Sequence, residues 1–307
     1  MIIEIPDKDD FVRSGLSMLN LAWDAIAALY LDFEDSKIED WDDDGDVKEE
    51  FWKAAQHPIS IALALSQQGI ELMLKGRITE VSPFLLLSGS PKDWPSGCGE
   101  KNTPFAYFRT IEAHELIRAH DSVFSERLTD AFKTQFEELR RVRNIIFHGV
   151  DKRSRPTAKG VFKIILEAVD CLHGPKSWIK IRREYLKNTP RSIAYSTDEV
   201  DIILVSEVLN LLKVLNHSDT RQYLGFNKKQ RDYICYNCAQ NCSDADLKPR
   251  SAQLDPNTPD STQVYCFICD EHRSVIREQC GIDGCLGNVI DSEDMVCLTC
   301  YADIPNR

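Results

Sequence analysis

The sequence predicts a mainly α protein, a helical bundle followed by a small zinc-binding ribbon domain poor in β structure. Three observations predict it. Apolar residues recur at three- and four-residue steps through the first two thirds, strand-like alternation is almost absent before residue 220, and nine of the eleven cysteines lie after residue 234. At 307 residues, 43% hydrophobic and 28% charged, the chain is long enough for one large domain and a small one, and its composition excludes a disordered or fibrous protein.

Leu16, Leu19, Trp23, Ile26, Tyr30 and Phe33 describe an amphipathic helix over residues 9–35. The following DFEDSKIEDWDDDGD reads as a solvated acidic loop, so residues 1–46 form an N-terminal helix and loop. A helical pattern then runs from about Val47 to Arg77, bent near His57 and Pro58 because proline removes a backbone donor and crowds the preceding turn. The glycines and prolines of residues 82–104 make a long connection. Helical periodicity resumes near Arg109 and again from about Ser125 to His148, where Gly149 offers a left-handed stop. Pro156 opens a helix to about Leu172, and residues 197–215 supply the last, capped by Thr197 or Asp198. The bundle is thus expected over 47–220. From about Lys228 cysteine pairs, turn residues and short β-prone pieces such as Val264-Tyr265 and Val289-Ile290 mark a second domain, 228–307.

That domain contains Cys235 and Cys238, Cys266 and Cys269, Cys280 and Cys285, and Cys297 and Cys300. Two residues between thiolates let a tight turn aim both sulfurs at one tetrahedral ion, and two such knuckles close a four-sulfur zinc site. Four knuckles make two structural zinc sites. Sequential pairing joins 235, 238, 266 and 269, then 280, 285, 297 and 300; a cross-braced pairing uses the same residues. Cys242 and His272 are spare, either one able to replace a neighbour, and are read as a small buried hydrophobe and a surface residue. Cys98 and Cys171 read as free thiols. Residues 228–307 carry 8 basic and 13 acidic side chains, a balance that disfavours phosphate binding and favours either a protein contact, such as a regulatory partner, or a stabilising role for this domain.

The net charge of −12 hides strong local bias. Residues 31–50 hold 11 acidic and 2 basic side chains, whereas residues 133–159 hold 8 basic and 3 acidic. The basic stretch contains RRVRNIIFHG, in which Arg140, Arg141, Arg143, Asn144 and His148 interrupt an apolar helix face. Five residues turn a straight helix by about 140°, so Arg143 and His148 converge only if the helix end distorts or a second copy of the chain stands alongside.

RNIIFH resembles the signature of the HEPN superfamily, all-α bundles many of which are ribonucleases: an arginine, four to six residues, then a histidine, with a polar residue after the arginine. Glu71 and Lys75 in QQGIELMLKG resemble that family's glutamate, three residues, then lysine or arginine, and FRTIEAHELIRAH resembles the helix between the two motifs. The similarity covers about residues 50–175. It implies a metal-independent endoribonuclease cutting single-stranded RNA at a homodimer interface, with 2′,3′-cyclic phosphate and 5′-hydroxyl ends. On this resemblance His148 is the general base or acid, Arg143 stabilises the phosphorane, Asn144 orients one of them, and Glu71 and Lys75 support them. Arg140, Arg141, Lys152, Arg153 and Arg155 are the expected RNA contacts. A toxin-like or phage-defence role is the setting the resemblance implies; a cytoplasmic location away from any membrane is expected from the residues, since purely apolar runs such as Ile61–Leu65 are far too short to cross a bilayer and MIIEIPDKDD lacks a basic region followed by an apolar one. The alternative is a non-catalytic HEPN-like dimerisation and protein-interaction module, in which Glu71 and Lys75 are an ordinary ion pair on a helix surface.

Overall fold

The computed structural model describes residues 1–148, 155–194, 199–242 and 248–304. The side chain of His148, and Lys152, Arg153, Thr197 and Asp198 entirely, lie outside the described residues. Contacts divide the chain into two compact units, Met1–Pro175 and Lys176–Arg307.

The first unit contains α1 (Lys8–Ser36), α2 (Ile38–Trp41), α3 (Asp46–Ala54), α4 (Gln56–Val81), α5 (Ala113–Val123), α6 (Asp130–His148) and α7 (Ala158–Leu172). A two-residue parallel pair joins β1 (Ile2–Ile3) to β2 (Thr103–Pro104). A reciprocal cap starts α1: the Asp7 carboxylate accepts from the Asp10 N–H at 2.9 Å, and the Asp10 carboxylate from the Asp7 N–H at 3.1 Å.

Helices α1 and α4 form the centre. Their backbones touch at Gly15 and Gly69, where a Cβ on Gly15 would stand 2.7 Å from the Gly69 carbonyl oxygen and one on Gly69 would stand 2.8 Å from that of Gly15. No larger residue fits there without separating the helices. Leu19, Trp23 and Ile26 of α1 are buried, with Trp23 against Phe162 of α7, ring centroids 4.3 Å apart. Full burial of such side chains stabilises by about 1.5–3 kcal/mol each. Among the described residues one stretch, Lys8–Trp41, is long and apolar enough to cross a membrane by length and composition. Leu19, Trp23, Ile26, Phe33 and Ile38 of this stretch are buried, whereas Leu21 and Trp41 are exposed.

The acidic segment is not the solvated loop expected. Helix α1 continues to Ser36, and α2 and α3 follow with only a short turn between them. Phe33 and Ile38 are buried, and Phe33 meets both Phe51 and Trp52 at ring centroid distances of 5.3 Å. Apolar anchors scattered among the carboxylates hold the segment down. The break between α3 and α4 falls at Ala55, three residues before Pro58.

The second unit contains α8 (Trp178–Lys187), α9 (Pro190–Ala194), α10 (Glu199–Val214), α11 (His217–Asp219), β3 (Tyr233–Ile234), α12 (Tyr236–Asn241), β4 (Arg250–Leu254), β5 (Gln263–Cys266), β6 (Glu271–Ile276) and β7 (Ile290–Asp291). The strands form a five-stranded antiparallel sheet in the order β3-β4-β5-β6-β7, more β structure than expected. Composition changes near 228, but contacts change at 175. Arg182 of α8 and Glu207 of α10 pair in full burial, at 2.9 Å from Nε and 2.6 Å from Nη2. Arg183 pairs with Asp201 and also donates to the Ile268 carbonyl, between two zinc-ligand cysteines, at 3.1 Å. Helices α8 and α10 are thereby part of the cysteine-rich unit.

Candidate functional site

Gln67, Glu71 and Lys75 are spaced four apart and so share one face of α4. Lys75 Nζ donates to Glu71 Oε1 at 2.9 Å and to Thr110 Oγ1 at 3.3 Å. Glu71 Oε2 accepts from Gln67 Nε2 at 3.3 Å, and Gln67 Oε1 accepts from Arg143 Nε of α6 at 3.0 Å. The order of these bonds fixes the glutamine amide, because only its NH2 can satisfy the carboxylate and only its oxygen can take the guanidinium proton. Both charged side chains of the Glu71–Lys75 pair are only 11% exposed, so it is not an ordinary surface pair.

Glu71, Lys75, Thr110 and Arg143 of this chain of bonds line a cleft of about 400 Å³ together with Ile111, Glu112, Ala113, His114, Arg140 and Asn144, with Gln67 buried behind them. The 110–114 segment is pinned: besides the Thr110 bond, the Ile111 N–H donates to the Leu86 carbonyl at 2.8 Å.

The three arginines of RRVR differ in their partners. Arg140 binds Glu137 through Nε at 3.1 Å and Nη2 at 2.6 Å, and Arg141 binds Glu138 at 2.8 and 2.6 Å. The Arg141 guanidinium holds the Glu138 carboxyl below its usual range. Arg143 is anchored on a neutral amide and, among the described residues, bonds through Nε alone. Its positive charge is therefore the one in RRVR that no carboxylate offsets among those residues.

The cysteines gather sequentially: Cys235, Cys238, Cys266 and Cys269 in one cluster, Cys280, Cys285, Cys297 and Cys300 in the other, with the sulfurs of each within 4.8 Å of one another. Cross-bracing is excluded by this grouping. Sulfur separations of 3.6 and 3.8 Å in the first cluster and 3.7 and 3.9 Å in the second match the edge of about 3.8 Å set by four bonds of 2.3 Å in a tetrahedron. Hydrogen bonds to Cys235, Cys266 and Cys269, together with burial, push the Cys238 thiol far above its ordinary range. Such crowding is relieved when a cation joins the cluster and the thiols ionise. Donors already face the sulfurs: the Cys238 N–H at 3.5 Å from Cys235 Sγ, the Ser251 hydroxyl at 3.2 Å from Cys266 Sγ and the Gly287 N–H at 3.3 Å from Cys285 Sγ. A Cβ on Gly287 would stand 2.8 Å from Cys297 Sγ. The two clusters fit two structural zinc sites, closed by four thiolates each.

No protein-family model, curated protein or solved structure matches the chain. The residues themselves carry the functional argument.

Of the residues named from the sequence, Glu71, Lys75, Arg140, Arg143 and Asn144 come together at the cleft. Position 148 ends α6, whose helix is continuous from Asp130. Arg141 lies on a neighbouring groove with Lys133 and Glu137, and Arg155 is exposed. Cys242 is buried outside both clusters; His272 is half-exposed and joins Asp255 at 3.1 Å. Gln67, Thr110, Glu112 and His114 were not singled out as site residues in the sequence. For Gln67 the signal was present, since it precedes Glu71 by the same four residues that separate Glu71 from Lys75. The other three lie in FRTIEAHELIRAH, the stretch that resembles the helix between the two motifs, but nothing local marks them as site residues; the fold brings residues 110–114 to the cleft.

Proposed function

We propose that the chain is a metal-independent endoribonuclease whose cleft receives a phosphodiester of single-stranded RNA. The observation that carries this reading is Arg143: Gln67 fixes the guanidinium by Nε, and among the described residues its outer nitrogens are left to a ligand in a polar cleft. A planar donor fork of this kind suits two oxygens of a phosphate and the added charge of a phosphorane. The buried Glu71–Lys75 pair adds no net charge but holds Gln67, and through it the arginine. Asn144, exposed at the cleft, supplies a further hydrogen-bonding group.

In this reading the 2′-hydroxyl loses its proton to His148, O2′ bonds to phosphorus, and the bond to the 5′-oxygen breaks. A position 140° around a straight helix from Arg143 reaches the same phosphate from a second copy of the chain, so the active form is a homodimer. The zinc centres stay out of the chemistry, because closed four-thiolate sites leave no coordination position open. A cytoplasmic toxin or defence protein is the setting in which such an activity serves.

The test is incubation of wild type, Arg143→Ala and His148→Ala with mixed RNA in EDTA, with zinc content verified afterwards and product ends mapped. Cyclic phosphate and 5′-hydroxyl ends from the wild type alone support the enzyme. A second reading, the interaction module, is favoured by the pairing of Arg140 with Glu137 and Arg141 with Glu138, which removes two of the expected RNA contacts. Intact RNA with a normal dimer and normal zinc content would select it.

A further inference from the structure

We infer that His114 is the general acid of this cleft, delivering a proton to the leaving 5′-oxygen of a phosphodiester held by Arg143. The inference rests on the ribonuclease reading and adds to it a residue outside the arginine and histidine motif.

Cleavage by 2′-hydroxyl attack requires two proton transfers, one from O2′ and one to O5′. The histidine of RNIIFH supplies one group. Its backbone lies at the end of a continuous α6, five positions from Arg143 and about 140° around the axis. Among the described residues, the histidine that lines the cleft together with Arg143 is His114. Its side chain is 53% exposed, open to a ligand, and its Nδ1 stands 3.7 Å from Glu112 Oε2. The surrounding backbone is set, since Glu115 Oε2 accepts from the Glu112 N–H at 2.9 Å and thereby caps α5 one residue before Ala113.

The other lining groups are poorly suited to the task. Lys75 is committed to Glu71 and Thr110, and the guanidinium groups do not give up protons. Among the described residues no Phe, Tyr or Trp lines the cleft, which therefore suits the phosphate and ribose better than a stacked base. In the completed step O2′ loses its proton to the base, the O2′–P bond forms, the P–O5′ bond breaks, and O5′ takes the proton from His114. Imidazolium becomes imidazole on one side and the reverse occurs on the other. Water then resets both.

The experiment compares wild type and His114→Ala on two oligonucleotides differing only at the scissile bond, one with the ordinary 5′-oxygen and one with sulfur in its place. A thiolate departs without needing a proton. His114→Ala is expected to lose about a hundredfold or more in rate on the oxygen substrate, and to stay within a few fold of wild type on the sulfur substrate. Equal loss on both would overturn the assignment in favour of a binding or structural role, and no loss on either would overturn it outright. Wild type that cuts neither substrate refutes the ribonuclease reading and removes the assignment with it. Wild-type cleavage with either of the other failures refutes the assignment alone. Thermal unfolding of His114→Ala, expected to match wild type for a half-exposed ring, guards against misfolding.

Discussion

Arg143 Nε donates to Gln67 Oε1 at 3.0 Å, across 76 positions of sequence. A neutral amide thus orients a cation without cancelling it. Gln67→Met keeps the side chain's length but leaves both Glu71 Oε2 and Arg143 Nε without this partner. Unmade bonds of this kind cost about 1–3 kcal/mol, to be read from urea midpoints. Affinity for a non-cleavable 2′-deoxy oligonucleotide should fall as well. In the double variant with Arg143→Met, the loss of affinity should be less than the sum of the single losses. Strict additivity would show that Gln67 does not act through Arg143.

Lys75→Met strands the Glu71 carboxylate in a place where each partner is only 11% exposed. Removal of one member of a buried pair costs about 3 kcal/mol, and adding Glu71→Gln should recover most of it. If Lys75→Met denatured at the wild-type urea concentration, the pair would be a surface contact after all.

The sequential clusters predict two zinc ions per chain, with Cys266→Ser and Cys297→Ser each lowering the content to about one. Cys242→Ser and His272→Ala should retain both. Gly287→Ala should weaken only the second site, because its new methyl meets Cys297 Sγ. Metal analysis after exhaustive dialysis reads all five variants, and loss of both ions from either ligand variant would mean that the sites do not load separately.

Asp121 makes a pH prediction. Burial opposes its ionisation, but Lys133 Nζ at 2.7 Å, the Leu128 N–H at 3.0 Å and His120 Nδ1 at 3.1 Å outweigh that and hold its carboxyl down to about 2, from an ordinary 3.8. The folded state therefore binds fewer protons than the unfolded one between these values. Its stabilising effect is full above the ordinary value and disappears as the pH falls through 2. Wild type should exceed Asp121→Asn in urea midpoint at pH 6, and the gap should close between pH 4 and 2. A gap unchanged across that range would contradict the depressed titration.

What the sequence revealed depended on how local each cause is. Knuckle spacing is a property of neighbouring residues, so the zinc ligands could be read directly, whereas their sequential grouping required the sheet register that sets Ala252 opposite Cys266. Glu71 and Lys75 were visible as an i, i+4 pair, but their burial depends on Thr110, 35 positions from Lys75. The acidic stretch was misread because charge density obscured Phe33 and Ile38. Strands β4 and β6 escaped notice because RSAQL and EHRSVI carry polar residues on both parities. His114 lies in the quoted FRTIEAHELIRAH but, with no ligand partner at useful spacing, reads from the sequence as a packing or surface histidine.

Sequential cysteine clusters also bear on synthesis. The first closes between Cys235 and Cys269, a span of 34 positions, and the second between Cys280 and Cys300, a span of 20. Neither cluster waits for ligands belonging to the other. As the chain leaves the ribosome, the first ion has its complete ligand set once residue 269 is exposed, before any ligand of the second cluster has been made. Interlocked sites would keep unpaired thiolates waiting for distant partners, exposed to oxidation and to the wrong metal. Here each ligand set is complete within a short stretch of chain, in the order of translation.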